Sequence, residues 1–212
     1  MIVETKSAFL NHLLLWWLSA SVLSIIFLPL VFTASDFEIS KSEVAFFSDL
    51  GRSTDSVTST ANSAYDVIFV RTGAAKFISW ISTDSTSGFT KSGALQSGTN
   101  WSATWFEGAL SMIYRMLWRV IALWPIYLSG LFAFCLPAMI DGLVVRAKKK
   151  YDFLQSNPVF FYGSAHSAAL CFGLGLFIPI LPMDINLPML MFYFSAVAAA
   201  LWVAAANFQT GQ

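Results

Sequence analysis

The sequence predicts an all-α membrane protein with four transmembrane helices, both termini in the cytoplasm and one large helical loop outside. Composition is the first observation, because 57% of the 212 residues are hydrophobic and only 11% are charged, with a mean hydropathy of +0.66. Soluble domains carry about a quarter charged residues. The other two observations are four apolar runs, each near the ~20 residues that a transmembrane helix needs, and a basic cluster beside one of them.

The basic cluster determines the predicted orientation. Arg146, Lys148, Lys149 and Lys150 lie close together, and basic residues in short loops beside spans stay in the cytoplasm. The side of the membrane predicted for every other segment follows from the position of this loop. The predicted order is a cytoplasmic N-terminus with the first span (1–33), an exported loop (34–113), the second span (114–140), the basic cytoplasmic loop (141–158), a hairpin of the third and fourth spans (159–206) and a cytoplasmic tail (207–212).

The exported loop is predicted to contain two helices. A short one covers Ser42 to Leu50, where Ser40 or Ser42 is suited to cap its start. A second, amphipathic helix is predicted over residues 67–81, because apolar residues recur there at helical spacing. Residues 82–100 have neither period nor apolar mass and are predicted to form a loop. The amphipathic helix either covers the protein's own spans, lies among lipid headgroups or docks a partner.

The second span carries a charge and two prolines. Arg119 lies near its start, where a long side chain can reach back to the headgroups. Trp118 and Trp124 are typical of the membrane interface. Proline removes a backbone donor, so we expect the helix to end or bend at Pro137, ahead of Asp141.

The third and fourth spans carry small residues at a spacing of four, which lets helices approach closely in lipid. We expect the two stripes to meet in a tight antiparallel hairpin, although the same faces would also suit another subunit or a partner's spans. His166 in the third span is a functional candidate by its depth, but a histidine without an acidic neighbour is more often a packing residue. The small residues are Gly163, Ala165, Ala169 and Gly173 on the third span and Ala196, Ala200 and Ala204 on the fourth.

The sequence lacks the motifs of common enzymes. It contains no phosphate-binding loop, zinc-protease motif or nucleophile elbow, and two histidines and two cysteines do not assemble an ordinary metal site. We therefore predict no catalytic residue, no metal and no cofactor. The formal net charge is zero, which gives no broad basic face for direct nucleic-acid binding.

The stretch from Leu136 to Leu181 resembles a known family. The residues that carry the likeness are Pro137, Asp141, Gly142, Leu143, Val144 and Arg146, with Tyr162 following. These residues are similar to a family of inner-membrane proteins carried by conjugative plasmids and integrating conjugative elements, whose genes commonly lie beside the type IV coupling ATPase. The likeness covers roughly residues 110–185 and differs after Tyr162, where Gly163 follows and His166 comes later.

The resemblance implies a non-enzymatic accessory of conjugative DNA transfer in a bacterial inner membrane. Its implied partner is the coupling ATPase or another conjugation membrane protein, with phospholipid and a second copy of the chain as further partners. A small transporter or lipid-handling protein is the alternative, and in it Arg119 and His166 would line a path. For the adaptor, we expect the partner to contact Asp141, Gly142, Arg146, Lys148, Lys149 and Lys150.

Overall fold

The computed structural model describes residue 11, residues 13–73, residue 76, residues 93–148 and residues 158–208. All regular structure within these ranges is helical. The elements are a π-helical turn (Leu13–Leu18), α1 (Ser19–Val31), a 3-10 turn (Ala34–Phe37), α2 (Lys41–Asp49), α3 (Thr54–Tyr65) with a π-helical extension (Asp66–Arg71), α4 (Gly93–Gly130), a π-helical turn (Leu131–Cys135), α5 (Leu136–Lys148), α6 (Pro158–Phe177), a 3-10 turn (Ile178–Ile180) and α7 (Leu187–Ala206).

Polar side chains start three of these helices. The Ser40 hydroxyl accepts a hydrogen bond from the backbone N–H of Glu43 and caps α2, as Ser53 does for α3 and the Asn186 side chain for α7. Such caps satisfy backbone donors that a helix leaves without partners at its first turn. The short helix predicted over Ser42–Leu50 is therefore confirmed, with Ser40 as its cap.

The predicted amphipathic helix over residues 67–81 is wrong in its boundaries. The helix begins at Thr54, and its π-helical extension ends at Arg71. Gly73 follows with φ of 79°, a conformation that glycine adopts without steric cost and that commonly ends a helix. Residues 74–75 and 77–81 lie outside the described residues. The predicted loop over 82–100 is also wrong in part, because helix α4 already begins at Gly93.

The helix of the second span does not end at Pro137. It continues through Pro125 and Pro137 to Lys148, so residues 141–148 of the predicted basic loop are helical. The π-helical turn Leu131–Cys135 lies directly before Pro137. Proline lacks a backbone donor and crowds the preceding turn, and a widened turn accommodates such a residue without breaking the helix.

Among the described residues, three helices are long and apolar enough to cross a membrane: Thr104–Lys148, Val159–Ile180 and Leu187–Ala206. The apolar helix Leu15–Val31 is shorter. At 1.5 Å per residue, the 45 residues of the first extend about 67 Å, roughly twice the thickness of a hydrocarbon core. Only part of this helix is therefore needed to span a bilayer.

The longest helix exposes an apolar stripe typical of a lipid-facing surface. Large apolar side chains recur at every fourth position and are 41–66% exposed. Exposing such a stripe to water is unfavourable, and contiguous exposed apolar patches of this kind are therefore rare on soluble monomers. The stripe consists of Val120, Trp124, Leu128, Phe132 and Leu136.

The chain forms two compact units. One contains Met1–Ser21, Trp124–Ile178 and Ile185–Gln212, and the other contains Val22–Leu123 and Pro179–Asp184. The first unit has a core of Cys135, Val197 and Ala198, and the second has a core of Phe37, Met112 and Ile180. Both cysteines are free thiols.

Glycines permit the closest helix contacts in the first unit. A Cβ at Gly142 would lie 2.7 Å from the backbone oxygen of Trp202 and 2.9 Å from the Cβ of Ala205, so only glycine fits between α5 and α7. At Gly173 the nearest atoms belong to Trp17, whose indole N–H also donates to the Ala169 carbonyl at 3.1 Å. The nearest atoms at this part of the small-residue stripe thus belong to the start of the first apolar segment, while α6 and α7 also pack against each other, as the hairpin predicts.

Gly142→Ala is expected to weaken the protein, since the added methyl group meets backbone atoms that cannot move independently. Overpacking of this kind costs about 1–3 kcal/mol. Gly163→Ala is the matched control, because nothing lies within 4 Å of a Cβ there and alanine favours a helix over glycine. Thermal unfolding in detergent should show a lower midpoint for Gly142→Ala alone. Equal midpoints would contradict the close approach of α5 and α7.

Candidate functional site

The second unit contains a buried cluster of charged side chains. Helix α2 positions Glu43 in its first turn, and α4 positions Arg115 and Arg119 one turn apart on a single face. The fourth member, Asp184, lies in the turn before α7. Glu43 and Arg119 are fully buried and Arg115 is 2% exposed, although charged residues are rarely buried unless paired.

Arg119 uses every donor of its guanidinium group. Its Nε and Nη2 donate to the two carboxylate oxygens of Glu43 at 2.6 and 2.9 Å. The remaining N–H groups donate to three backbone carbonyls. These are the carbonyls of Pro179 at 3.4 Å, of Met183 at 2.6 Å, and of Leu181. Five donors meet five acceptors, which satisfies the whole fork. The predicted snorkelling of Arg119 to headgroups is therefore wrong: this side chain is sealed inside the protein.

Arg115 joins the same carboxylate to further segments. Its Nη2 lies 3.1 Å from Oε2 of Glu43 and 3.2 Å from Oδ1 of Asp184. Its Nη1 donates a hydrogen bond to the Asp36 carbonyl at 2.7 Å. The Ser42 hydroxyl donates to Asp184 at 2.6 Å. Two cations and two anions make the cluster neutral, and such pairing offsets the large cost of removing charges from water.

Hydrogen bonds depress the pKa of Asp184. The hydroxyls of Ser42 and Ser40 are the main cause, and the nearby cations Arg115 and Arg119 add to it. Asp184 is the partly solvated edge of the cluster, with 44% of its side chain exposed. At neutral pH it is ionised and completes the charge balance.

Helix α3 covers the adjoining face of α4. The indole N–H of Trp118 donates to the Thr58 hydroxyl at 3.0 Å, and the Tyr114 hydroxyl donates to Asn62 at 2.7 Å. Trp118 is 1% exposed and packs edge-on against Phe47, so its predicted place at the membrane interface is wrong. The described part of residues 34–113 therefore folds onto its own chain.

The predicted partner-binding residues are in the other unit, and three of them have internal contacts. Asp141 accepts a hydrogen bond from the Trp202 indole at 2.7 Å, and Gly142 is buried against α7. The Arg146 guanidinium lies 5.2 Å from the centre of the Phe208 ring, a cation–π distance. Lys148 is exposed. Lys149 and Lys150 lie outside the described residues.

The other predicted residues of the third and fourth spans differ in how deeply they are buried. Gly163 and His166 are exposed, whereas Ala165 and Ala169 are half-buried. On α7 the predicted stripe Ala196, Ala200 and Ala204 is half-buried. The fully buried face of that helix is instead Leu190, Phe194, Val197, Ala198 and Ala206.

Sequence reasoning missed three members of the cluster: Glu43, Arg115 and Asp184. One signal was available, since two arginines at a spacing of four in an apolar stretch require buried acceptors. The sequence did not show which acidic residue pairs with Arg119, because the pair joins residues that are 76 positions apart. Within the described residues no group of histidine, cysteine and acidic side chains is arranged to hold a metal. The cluster is thus suited to holding segments together.

The fold and the cluster define the class of protein as a helical one with apolar helices that suit a membrane. A family model described as "IncC plasmid conjugative DNA transfer protein DtrJ-like" matches residues 28–209. The chain belongs to this DtrJ-like family, and membership implies a part in conjugative DNA transfer. No curated protein and no solved structure matches it. The predicted resemblance to conjugative-transfer proteins is confirmed, and the match extends beyond residues 110–185 to residues 28–209.

Glu43→Gln should destabilise the protein strongly, because it removes one charge from the neutral cluster and leaves two buried arginines with one carboxylate. Breaking a buried ion pair costs about 3–5 kcal/mol, which corresponds to a fall of roughly 10 °C in the unfolding midpoint for a chain of this size. Glu107→Gln is the matched control, since Glu107 is exposed and lies on α4, the helix that carries Arg115 and Arg119. Thermal unfolding in detergent measures both; similar midpoints would show that the cluster contributes little.

Proposed function

We propose that this protein is a non-enzymatic inner-membrane adaptor of conjugative transfer that holds the coupling ATPase at the membrane. Its four apolar segments cross the bilayer with both termini in the cytoplasm. The short helix Leu15–Val31 is the first span, and its length is near the lower limit of about 17 residues for a transmembrane helix.

The cluster supports this topology. The sequence independently assigns three segments to the outside. They are the exported loop, the start of the second span and the turn between the third and fourth spans. Glu43, Arg119 and Asp184 belong to these three segments, and all lie in one network of hydrogen bonds. Segments joined in this way must lie on the same side of the membrane.

The observation that carries the adaptor proposal is the helical support of the basic end. Residues 141–148 extend α5 and are fixed to α7 by the close approach at Gly142 and by the bond between Asp141 and Trp202. The exposed Lys148 is therefore presented at the end of a supported helix. A preorganised basic surface steers and orients an acidic partner at low entropic cost, and it can also contact anionic lipid at about 1 kcal/mol per cation.

The transporter alternative receives less support. In it Arg119 would face a permeant ion or solute, but all five of its donors are occupied by Glu43 and backbone carbonyls. Releasing them would require breaking the buried pair. The adaptor therefore remains the better account of the described residues.

Replacing Lys148, Lys149 and Lys150 together with glutamine is expected to reduce recovery of the coupling ATPase with the tagged chain about tenfold, as three surface ion pairs contribute roughly 0.2–1 kcal/mol each. Conjugation frequency should fall in parallel. Glutamine removes the charges without disturbing Asp141 or Gly142. Co-purification in mild detergent and mating assays provide the two measurements.

Two further variants decide between the alternatives. Lys41→Gln removes an exposed cation from the exported segment and should change neither measurement. His166→Ala should also leave both unchanged. If His166→Ala abolishes transfer while the ATPase is still recovered, or if the triple variant recovers it fully, the adaptor proposal is wrong.

A further inference from the structure

The second unit has an aromatic cleft beside the charged cluster. The cleft is open, has a volume of ≈ 580 Å³ and is lined by Phe37, Glu38, Ile39, Tyr65, Leu110, Ser111 and Tyr114. Drug-sized ligands are usually enclosed over most of their surface. An open cleft of this kind is better suited to side chains that project from another protein.

The cleft is built on fixed residues. Tyr114 donates to Asn62 at 2.7 Å, and the Tyr65 and Tyr114 rings meet edge-on at 5.7 Å. Phe37 is 1% exposed and follows Asp36, whose carbonyl is held by Arg115. These contacts preorganise the wall before any partner arrives, which lowers the entropic cost of binding.

The charge of the cleft selects a cation. Glu38 is the one acidic residue among the residues that line the cleft, and it is exposed. A carboxylate that lines the same cleft as the Tyr65 and Tyr114 rings attracts an ammonium or guanidinium group through both its charge and the ring quadrupoles. The same carboxylate repels the phosphates of lipid headgroups, so the charge favours a protein segment over a membrane surface.

The apolar surface continues beyond the cleft. In the helical turn directly after Tyr65, Val67, Ile68 and Val70 are 45–50% exposed. Phe69 stacks on Tyr65 at 4.9 Å and connects this turn with the cleft. A partner that places a cation at Glu38 therefore meets apolar side chains next to it.

The geometry points to a second docking surface in this unit, one that takes a partner segment bearing an arginine or lysine next to an apolar residue. The cation pairs with Glu38 beside Tyr65 and Tyr114, and the apolar residue covers the turn at Val67 and Ile68. The surface uses none of the residues proposed to contact the coupling ATPase. It requires only that the exported segment is outside, so its partner is a protein of the periplasmic side.

Site-specific photo-crosslinking tests the surface. A photoreactive amino acid at Ser111 in donor cells that carry the complete conjugation apparatus should form one protein adduct. Glu38→Lys should lower the adduct yield about tenfold, the effect of ~1.4 kcal/mol, because it places like charges opposite each other. Glu107→Lys makes the same charge change away from the cleft lining and should leave the yield unchanged.

Mass spectrometry of the adduct should identify a partner peptide with a basic residue beside an apolar one. Exchanging that basic residue for glutamate should restore the yield with Glu38→Lys. The proposal is overturned by the absence of a protein adduct, by adducts with phospholipid or with a second copy of this chain, or by an adduct that Glu38→Lys does not affect. Labelling of Ser59→Cys by an impermeant thiol reagent, in a background without Cys135 and Cys171, checks separately that the segment is outside.

Discussion

The burial of Arg119 is the constraint on which the second unit depends. A guanidinium group without solvent needs acceptors for five N–H groups and a compensating negative charge. Glu43 and three carbonyls of residues 179–183 provide them. Because those acceptors come from two segments that are distant in the sequence, satisfying one side chain holds α2 and the turn before α7 in place.

Directed hydrogen bonds order a second polar helix, α3, against α4. Helix α3 has few apolar residues, and only Val57 and Ala61 are buried in it. Its position depends on directed bonds to α4, from Trp118 to Thr58 and from Tyr114 to Asn62. The aromatic cleft lies next to these bonds, so the cluster, α3 and the cleft form one arrangement rather than independent features.

The sequence was sufficient where structure follows from local chemistry. Ser40 was one of the two caps predicted for α2, and the third and fourth apolar runs predicted α6 and α7 to within a few residues. Local rules predicted that the helix ends or bends at Pro137, and they failed to exclude the end, since the helix continues through a widened turn. They also failed for Arg119, whose partner Glu43 is identified only by tertiary folding, and for Gly173, whose neighbour Trp17 lies in the first apolar segment.

Helix α2 meets the turn before α7 at the charged cluster. Cysteines at Ser42 and Asp184, whose side chains are 2.6 Å apart, test it in a background without Cys135 and Cys171. A short bifunctional thiol reagent applied to intact membranes should join them within one chain in high yield, whereas a cysteine pair at Asp55 and Asp184 should remain unjoined. Failure of the Ser42–Asp184 pair to crosslink, with both thiols accessible to a monofunctional reagent, would contradict the account.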